Sequence, residues 1–233
     1  MKTEAEITRS SPRKIWIALI VTAVIALIAA FLLDQATANW ITTYSSPELK
    51  RMMRIVSRVG DWPAHVIVGA IGLAIAFAVG SKAWMRIFLA MLIALALAGV
   101  TTRGIKIATG RARPSVKTEA QWNGPQFRSK FHAFPSGHTA SSTAFFVALF
   151  LARKKIGAPL LLIPILIAIS RLIVGAHYLS DVTFAAVLGV ICALLVAHWL
   201  SIRNPQSPIR NLIPPTLDGA SYRRSRAPAA RRR

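Results

Sequence analysis

Six long apolar stretches dominate this sequence and limit what it can fold into. A helix that crosses a bilayer needs about 20 predominantly apolar residues. The hydrophobic content of 54% also lies above that of an ordinary soluble domain. We therefore predict an all-α polytopic membrane protein, a six-transmembrane-helix bundle. The predicted spans are Ile15–Leu33, Trp62–Val79, Ile87–Ile107, a stretch that follows Phe134–His138 and ends at Leu151, Pro159–Ala176 with a kink at Pro164, and Asp181–Ile202.

The charge balance is strongly basic, with 29 Lys and Arg residues against eight Asp and Glu residues and a net charge of +21. Such a balance fits either a nucleic-acid binder or a protein held against an anionic lipid surface. The apolar stretches favour the membrane, so we expect no nucleic-acid partner. The single cysteine, Cys192, lies inside an apolar stretch, where a lone cysteine usually packs as a small hydrophobe.

Basic residues in alternate connections set the predicted orientation, because positively charged connections stay cytoplasmic. Lys82 and Arg86 follow the second span, and Arg153–Lys155 follow the fourth. We therefore expect a cytoplasmic segment 1–14, a membrane domain 15–202, and a basic cytoplasmic tail 203–233. Both termini are then cytoplasmic, and the polar clusters described below face the periplasm or outside of a cell inner membrane.

Two segments before the third span carry alternatives. Ile15–Leu33 could be a cleaved signal peptide, but its apolar run is longer than such regions usually are, so we expect a retained helix. Between the first two spans, Glu48–Val59 is compatible with a helix that lies in the membrane interface.

Three polar clusters remain outside the spans, and all lie on the same predicted face. They are Lys106–Pro114 after the third span, Pro135–His138 before the fourth, and the group Ser170, Arg171, His177 and Asp181 between the fifth and sixth. Because these clusters are far apart in sequence, they meet only if the helix ends gather in one bundle.

The residue types of these clusters suit an anion. Lys106, Arg113 and Arg171 supply positive donors, and an arginine fork matches two phosphate oxygens. Pro135-Ser136-Gly137 precedes an apolar run, and free N–H groups at a helix start bind anions. Taken alone, Lys106 or Arg171 could equally well extend its charged end to the lipid headgroups instead of binding a substrate anion.

The histidines and Asp181 suit nucleophilic and acid–base chemistry. His177 and Asp181 stand four residues apart and share one face of a helical turn. The carboxylate can then hold one imidazole nitrogen and leave the other free to attack, although a structural His–Asp pair is the alternative. His138 is a second imidazole, suited to protonating a leaving oxygen. We expect His65 and His198 to be packing or interfacial residues, and His132 lies near the site in sequence.

Together, Lys106-x6-Arg113-Pro114, Pro135-Ser136-Gly137-His138 and Ser170-Arg171-x5-His177-x3-Asp181 resemble the three-part signature of the type-2 phosphatidic acid phosphatase superfamily over about residues 87–200. The resemblance implies a membrane lipid phosphatase. In it, His177 forms a phosphohistidine, Asp181 orients His177, and His138 protonates the leaving oxygen. It also implies that the phosphate oxygens are held by Lys106, Arg113, Ser136, Gly137 and Arg171, with no metal or other cofactor.

The substrate and oligomeric state stay open at this level. The family covers undecaprenyl diphosphate, phosphatidylglycerol phosphate, phosphatidic acid and lipid A phosphates. Residues 115–134, which include Trp122, Phe127, Arg128 and Lys130, are expected to touch the headgroup. One alternative is a soluble haloperoxidase that binds vanadate, but the six apolar spans argue against it. A second alternative is an inactive lipid-binding or transport protein of the same fold, but the intact set of His138, His177 and Asp181 argues against it.

Overall fold

The computed structural model describes residues 12–200, and helices make up most of this part of the chain. A one-turn 3₁₀ helix, Ser129–Phe131, interrupts the longest connection. The α-helices are α1 Pro12–Tyr44, α2 Pro47–Val59, α3 Trp62–Ala78, α4 Lys82–Thr109, α5 Gly137–Ala152, α6 Lys154–Leu160, α7 Leu162–Ile173 and α8 Leu179–Trp199. The prediction of an all-α fold is confirmed. The predicted segments 1–14 and 203–233 lie largely and wholly, respectively, outside the described residues.

Five segments of the described chain are long and apolar enough to cross a membrane. They are Arg13–Tyr44, Pro47–Ala78, Lys82–Thr109, Lys154–Ile173 and Leu179–Trp199. The predicted fourth span is present as α5, but its 16 residues make a helix only about 24 Å long, shorter than the hydrocarbon core. The count of six spans and the cytoplasmic placement of the termini therefore stay predictions.

Helix α1 extends well beyond the predicted end of the first span at Leu33. Its 33 residues correspond to a length of about 50 Å. The helix continues past Asp34 because this carboxylate is not left unpaired in the apolar surroundings but is hydrogen-bonded inside the protein. Leu32 is 78% exposed on the outer surface of α1, as expected for a side chain that contacts lipid.

The amphipathic segment after α1 forms a helix, α2, as predicted. Ser46 caps it by accepting a hydrogen bond from the N–H of Leu49 (3.1 Å). At its far end the Ser57 hydroxyl lies 2.8 Å from the Ser170 hydroxyl, which itself donates to a carbonyl of its own helix. This contact fastens α2 to the end of α7.

The fifth predicted span is divided at Leu161 into α6 and α7. The break falls at the turn that precedes Pro164, whose ring occupies the place of a helical N–H donor. The sequence therefore correctly indicated an irregularity at this point.

Helices α5 and α8 form the centre of the bundle, with α4 and α7 packed around them. Small buried residues allow this close packing, including Ala140, Ala144, Ala185 and Ala193. Cys192 is buried in the same core, as predicted. The closest approach is at Gly189, where an added Cβ would lie 2.7 Å from the carbonyl oxygen of Ala140.

The antiparallel arrangement brings six helix ends to one end of the bundle. Helices α2, α4 and α7 end there, and α3, α5 and α8 begin there. Helix α1 passes the same level at Asp34, which contacts the start of α8 at Ser180. The three polar clusters of the sequence therefore lie together at this end.

We expect Gly189→Val to destabilise the protein, because its side chain would collide with the backbone of α5 and force α5 and α8 apart. The measurement is the thermal unfolding midpoint in detergent. Gly104→Ala is the matched control, since a Cβ there meets nothing within 4 Å. Equal midpoints for the Gly189→Val variant and the wild type would contradict the close α5–α8 packing.

Candidate active site

A cavity of about 640 Å³ at this end of the bundle collects most of the predicted site residues. Six of the eight line it directly: Lys106, Arg113, Gly137, His138, Arg171 and His177. The other two, Ser136 and Asp181, are completely buried directly behind its wall. The structure thus brings together residues that lie up to 75 positions apart, between Lys106 and Asp181.

The cavity wall is strongly cationic. Lys106 and Arg171 come from the last turns of α4 and α7, and Arg113 follows α4. The Nε atoms of Arg113 and Arg171 are buried without a hydrogen-bond acceptor among the described residues. Burial lowers the pKa of Arg113, but a guanidinium group stays charged at neutral pH. Because buried donors normally have partners, these two arginines indicate a site for an anion that enters the cavity.

His177 lies between α7 and α8 with one ring nitrogen fixed and the other available. Its Nδ1 is 2.6 Å from the carbonyl oxygen of Ala133 and 3.5 Å from Oδ2 of Asp181. Since both neighbours are acceptors, Nδ1 carries the proton and Nε2 keeps a free electron pair. Burial lowers the pKa of His177 to about 3, against the raising effect of Asp181, so the ring is neutral at pH 7. A neutral imidazole with a free nitrogen is a nucleophile.

The contact between Asp181 and His177 is present, as expected, but the carboxylate has closer partners. Its Oδ2 accepts the backbone N–H of Tyr178 (2.8 Å), which caps α8. Its Oδ1 accepts a hydrogen bond from Nη1 of Arg111 (2.6 Å). The nearest acceptor of the His177 proton is therefore a backbone carbonyl, which sequence reasoning had no means to identify.

Ser136 and Gly137 form the start of α5. The Ser136 hydroxyl accepts hydrogen bonds from the hydroxyl of Thr139 (3.0 Å) and from its N–H (3.5 Å), so it caps the helix. The Ser136 N–H donates to the carbonyl oxygen of Asp181 (3.1 Å), which joins α5 to α8 beneath the cavity. Gly137 faces the cavity. The phosphate-binding role of Ser136 stays a prediction.

His138 has an acidic neighbour that sequence reasoning missed. Its Nε2 lies 3.2 Å from Oδ1 of Asp61, the N-cap residue of α3. Asp61 is the single carboxylate on the cavity wall within residues 12–200. The Asp61 carboxylate can accept a hydrogen bond from the ring, which holds the His138 imidazole at the cavity wall. The signal in the sequence was weak, since Asp61 reads as an ordinary helix cap before Trp62-Pro63.

The remaining histidines follow the sequence interpretation in part. His65 packs against the rings of Phe145 and Phe146, with centroids 5.3 and 5.4 Å away, which confirms a packing role. His132 borders the cavity and is buried. Its carbonyl oxygen accepts a hydrogen bond from Nζ of Lys106 (2.7 Å), and Ser129 and His132 are the residues of 115–134 that line the cavity.

A model of the PAP2 superfamily matches residues 87–205, just over half of the 233 residues of the chain. The chain belongs to the PAP2 superfamily. This confirms the resemblance drawn from the three motifs, all of which lie within the matched residues. Helices α1, α2 and α3 lie outside them.

Proteins similar to this PAP2 chain include lipid phosphatases. It is 34% identical over 105 residues to a lipid A 1-phosphatase of Rhizobium johnstonii, covering 42% of each chain. It is 37% identical over 130 residues to a decaprenylphosphoryl-5-phosphoribose phosphatase of Mycolicibacterium smegmatis, covering 55% of this chain and 67% of that one. The alignment thus spans less than half of the length of the Rhizobium relative.

A solved structure shares the fold. The transmembrane PAP2-type phosphatidylglycerolphosphate phosphatase of Bacillus subtilis superposes with a TM-score of 0.61 and 21% identity. The superposition covers 82% of this chain and 98% of that chain. The multi-pass membrane architecture of this PAP2 protein therefore extends beyond the family-matched residues to the earlier helices.

We expect Arg171→Gln to weaken the binding of inorganic phosphate about tenfold or more, because a charge-assisted hydrogen bond contributes about 1.5–3 kcal/mol. Asp61→Asn should have the opposite effect, since it removes a negative charge from the cavity wall. The measurement is calorimetric titration of the detergent-purified protein with phosphate.

Arg128→Gln is the control, because Arg128 is an exposed arginine in the connection between α4 and α5 and does not line the cavity. Phosphate binding that is equally strong in the Arg171→Gln and Arg128→Gln variants would contradict an anion site in this cavity.

Proposed function

We propose that this protein hydrolyses a phosphate or diphosphate group of a membrane lipid through a phosphohistidine on His177. The observation that carries the proposal is that a neutral His177, held through its Nδ1, lines the same cavity as three cationic side chains, Lys106, Arg113 and Arg171. The lipid phosphatases among the relatives support the same reaction class.

In the first step, Nε2 of His177 attacks phosphorus while the bond from phosphorus to the lipid oxygen breaks. His138 gives a proton to this departing oxygen and becomes neutral. Arg113, Arg171 and Lys106 offset the negative charge on the phosphate oxygens, and such charge stabilisation is the main contribution of proteins to phosphoryl transfer. The positive charge that develops on the His177 ring is stabilised by Asp181 and by the Ala133 carbonyl.

In the second step, a water molecule attacks the phosphohistidine. His138 accepts a proton from this water, the bond between phosphorus and His177 breaks, and inorganic phosphate leaves. His177 returns to its neutral form, and His138 is protonated again for the next cycle. Asp61 beside His138 holds the ring in place for both proton transfers. The cationic side chains supply the charge that metal ions supply in many other phosphoryl-transfer enzymes, so we propose a metal-independent reaction.

The shape of the cavity supports a lipid substrate. Beyond the cationic end, its wall continues along apolar or small residues of α3 and α4, among them Val66, Leu95, Gly99 and Val100. A phosphate at the cationic end can therefore have its apolar chain against these helices. The named substrates of the relatives favour an envelope lipid such as a polyprenyl phosphate derivative or a lipid A phosphate.

The site is proposed to face the periplasm. The basic connections at Lys82 and Arg153–Lys155 lie at the end of the helices opposite to the cavity. Since positively charged connections remain cytoplasmic, the cavity lies on the other side of the membrane.

We expect His177→Ala to lower kcat at least about a thousandfold, since removal of a nucleophile has effects of that order. The measurement is phosphate release from a lipid substrate in detergent micelles. Rapid quenching of the wild type with a ³²P-labelled lipid should trap an acid-labile, alkali-stable phosphoprotein that His177→Ala does not form.

The matched control is His198→Gln in the last turn of α8, at the opposite end of the helix from the cavity. This variant should retain wild-type turnover. EDTA in the assay should leave the activity unchanged. Normal turnover by His177→Ala would refute the nucleophile, and loss of activity in EDTA with recovery in magnesium would refute the metal-independent reaction.

We expect phosphate release from at least one of four lipids, namely undecaprenyl diphosphate, phosphatidylglycerol phosphate, phosphatidic acid and a lipid A phosphate. Glycerol 3-phosphate should be hydrolysed with kcat/KM at least about a hundredfold lower, because it cannot use the apolar part of the cavity. Background rates with all four lipids, together with tight lipid binding, would favour the alternative of an inactive lipid-binding or transport protein.

A further inference from the structure

A buried ionic network connects α1 to the proposed nucleophile. Asp34, in the second half of α1, is 5% exposed and accepts hydrogen bonds from the backbone N–H (2.8 Å) and hydroxyl (2.6 Å) of Ser180. Its Oδ2 also accepts from Nη2 of Arg111 (2.6 Å). Helix α1 lies outside the residues that match the family model, so Asp34 is not part of the three motifs.

Arg111 occupies the centre of this network. It is 1% exposed, and its Nη1 donates to Oδ1 of Asp181 (2.6 Å) and to the Ser180 hydroxyl (2.7 Å). The guanidinium also contacts the rings of Trp122 and Tyr178, 4.7 and 4.4 Å from their centroids. Burying a charge in this way is costly, and an ion pair in a protein interior often adds little stability. The network therefore calls for a functional explanation.

The backbone of Arg111 reaches the nucleophile by a second route. Its carbonyl oxygen accepts the N–H of Ala133 (3.0 Å), and the Ala133 carbonyl oxygen accepts the Nδ1 proton of His177 (2.6 Å). Arg111 thus contacts both acceptors of the His177 ring, Ala133 through its main chain and Asp181 through its side chain.

The charges of the network determine whether Asp181 can stabilise a positive charge on the His177 ring. A guanidinium 2.6 Å from Asp181 would, on its own, cancel the negative charge that Asp181 presents to the imidazole. Asp34 takes up the other side of the same guanidinium at 2.6 Å. Two carboxylates and one guanidinium carry a net charge of −1, so the set of charges that contacts the Nδ1 side of His177 remains negative while Arg111 holds Asp181 in position.

We propose that Asp34 is a positioning residue of the reaction, which offsets the charge of Arg111 so that Asp181 stabilises the positive imidazole of the phosphohistidine. This inference rests on the proposed role of His177 as the nucleophile. Asp34 does not touch the substrate and acts through Arg111 and Asp181. Helix α1 is then a component of the active site and more than a membrane anchor.

The test compares Asp34→Asn, Arg111→Met and the double variant. Asp34→Asn leaves a neutral Arg111–Asp181 pair, so kcat should fall about a hundredfold, as for loss of a buried group that supports a reacting ligand. Adding Arg111→Met restores a net charge of −1, and the flexible methionine can pack against the aromatic rings that Arg111 contacts. The double variant should therefore recover at least about tenfold in kcat over Asp34→Asn.

Two further measurements separate this effect from misfolding. The Ki of inorganic phosphate should change less than about threefold in all three variants, because Lys106, Arg113 and Arg171 hold the anion. Glu48→Gln, which neutralises an exposed carboxylate of α2, should match the wild type in kcat and Ki.

Recovery in the double variant with an unchanged Ki supports charge compensation. A double variant no more active than Asp34→Asn, a kcat unchanged by Asp34→Asn, or a Ki that rises in parallel with the loss of kcat would each overturn it. A wild-type protein without phosphatase activity, or a fully active His177→Ala variant, would instead refute the proposed function.

Discussion

The arrangement of this protein depends on Arg111, a fully buried cation held between two carboxylates that are far apart in the sequence, Asp34 and Asp181. Through Asp34 and Asp181 it joins α1 to the start of α8, and through its main chain it holds the segment that contacts the His177 ring. In an apolar environment an unpaired member of this set would be strongly unfavourable, so the three groups must come together as the helices assemble. The helix ends are thereby fixed where the cationic cavity forms.

The cavity combines groups whose charges would repel each other without an occupant. Lys106, Arg113 and Arg171 converge on one space, and two of them have buried Nε atoms without an acceptor among residues 12–200. In the proposed reaction, the lipid phosphate supplies acceptors for these donors. The single carboxylate of the wall in that part of the chain, Asp61, lies against His138 and away from the buried Asp181, so the two histidines have different acidic partners. Two imidazoles in different environments suit the separate roles of nucleophile and acid.

The membrane determines how the helices of this protein pack. The backbone of each spanning helix satisfies its own hydrogen bonds, so packing is decided by side-chain shape. Alanines and Gly189 let α5 and α8 approach closely. At the polar end, the connection between α4 and α5 is not confined to a spanning helix. It brings the Ala133 carbonyl to His177.

Much of the fold was readable because each span is a local property of the sequence. The helices follow from apolar stretches of sufficient length, and most predicted boundaries agree with the structure to within a few residues. The largest difference is the end of α1, since the predicted span ended at Leu33 with the apolar stretch, whereas the helix continues to Tyr44. Asp34 pairs with Arg111, which is 77 residues away, and no local sequence pattern predicts this pair.

The sequence by itself determined the helical membrane architecture and the residue types of the site, since apolar length and motif spacing are local and survive without coordinates. Only the tertiary structure decided which atoms meet. The Ala133 carbonyl as acceptor for His177, Asp61 beside His138, and the Asp34–Arg111–Asp181 network all depend on the relative placement of helices. Such contacts arise from packing between distant segments, whose partners have no fixed spacing along the chain.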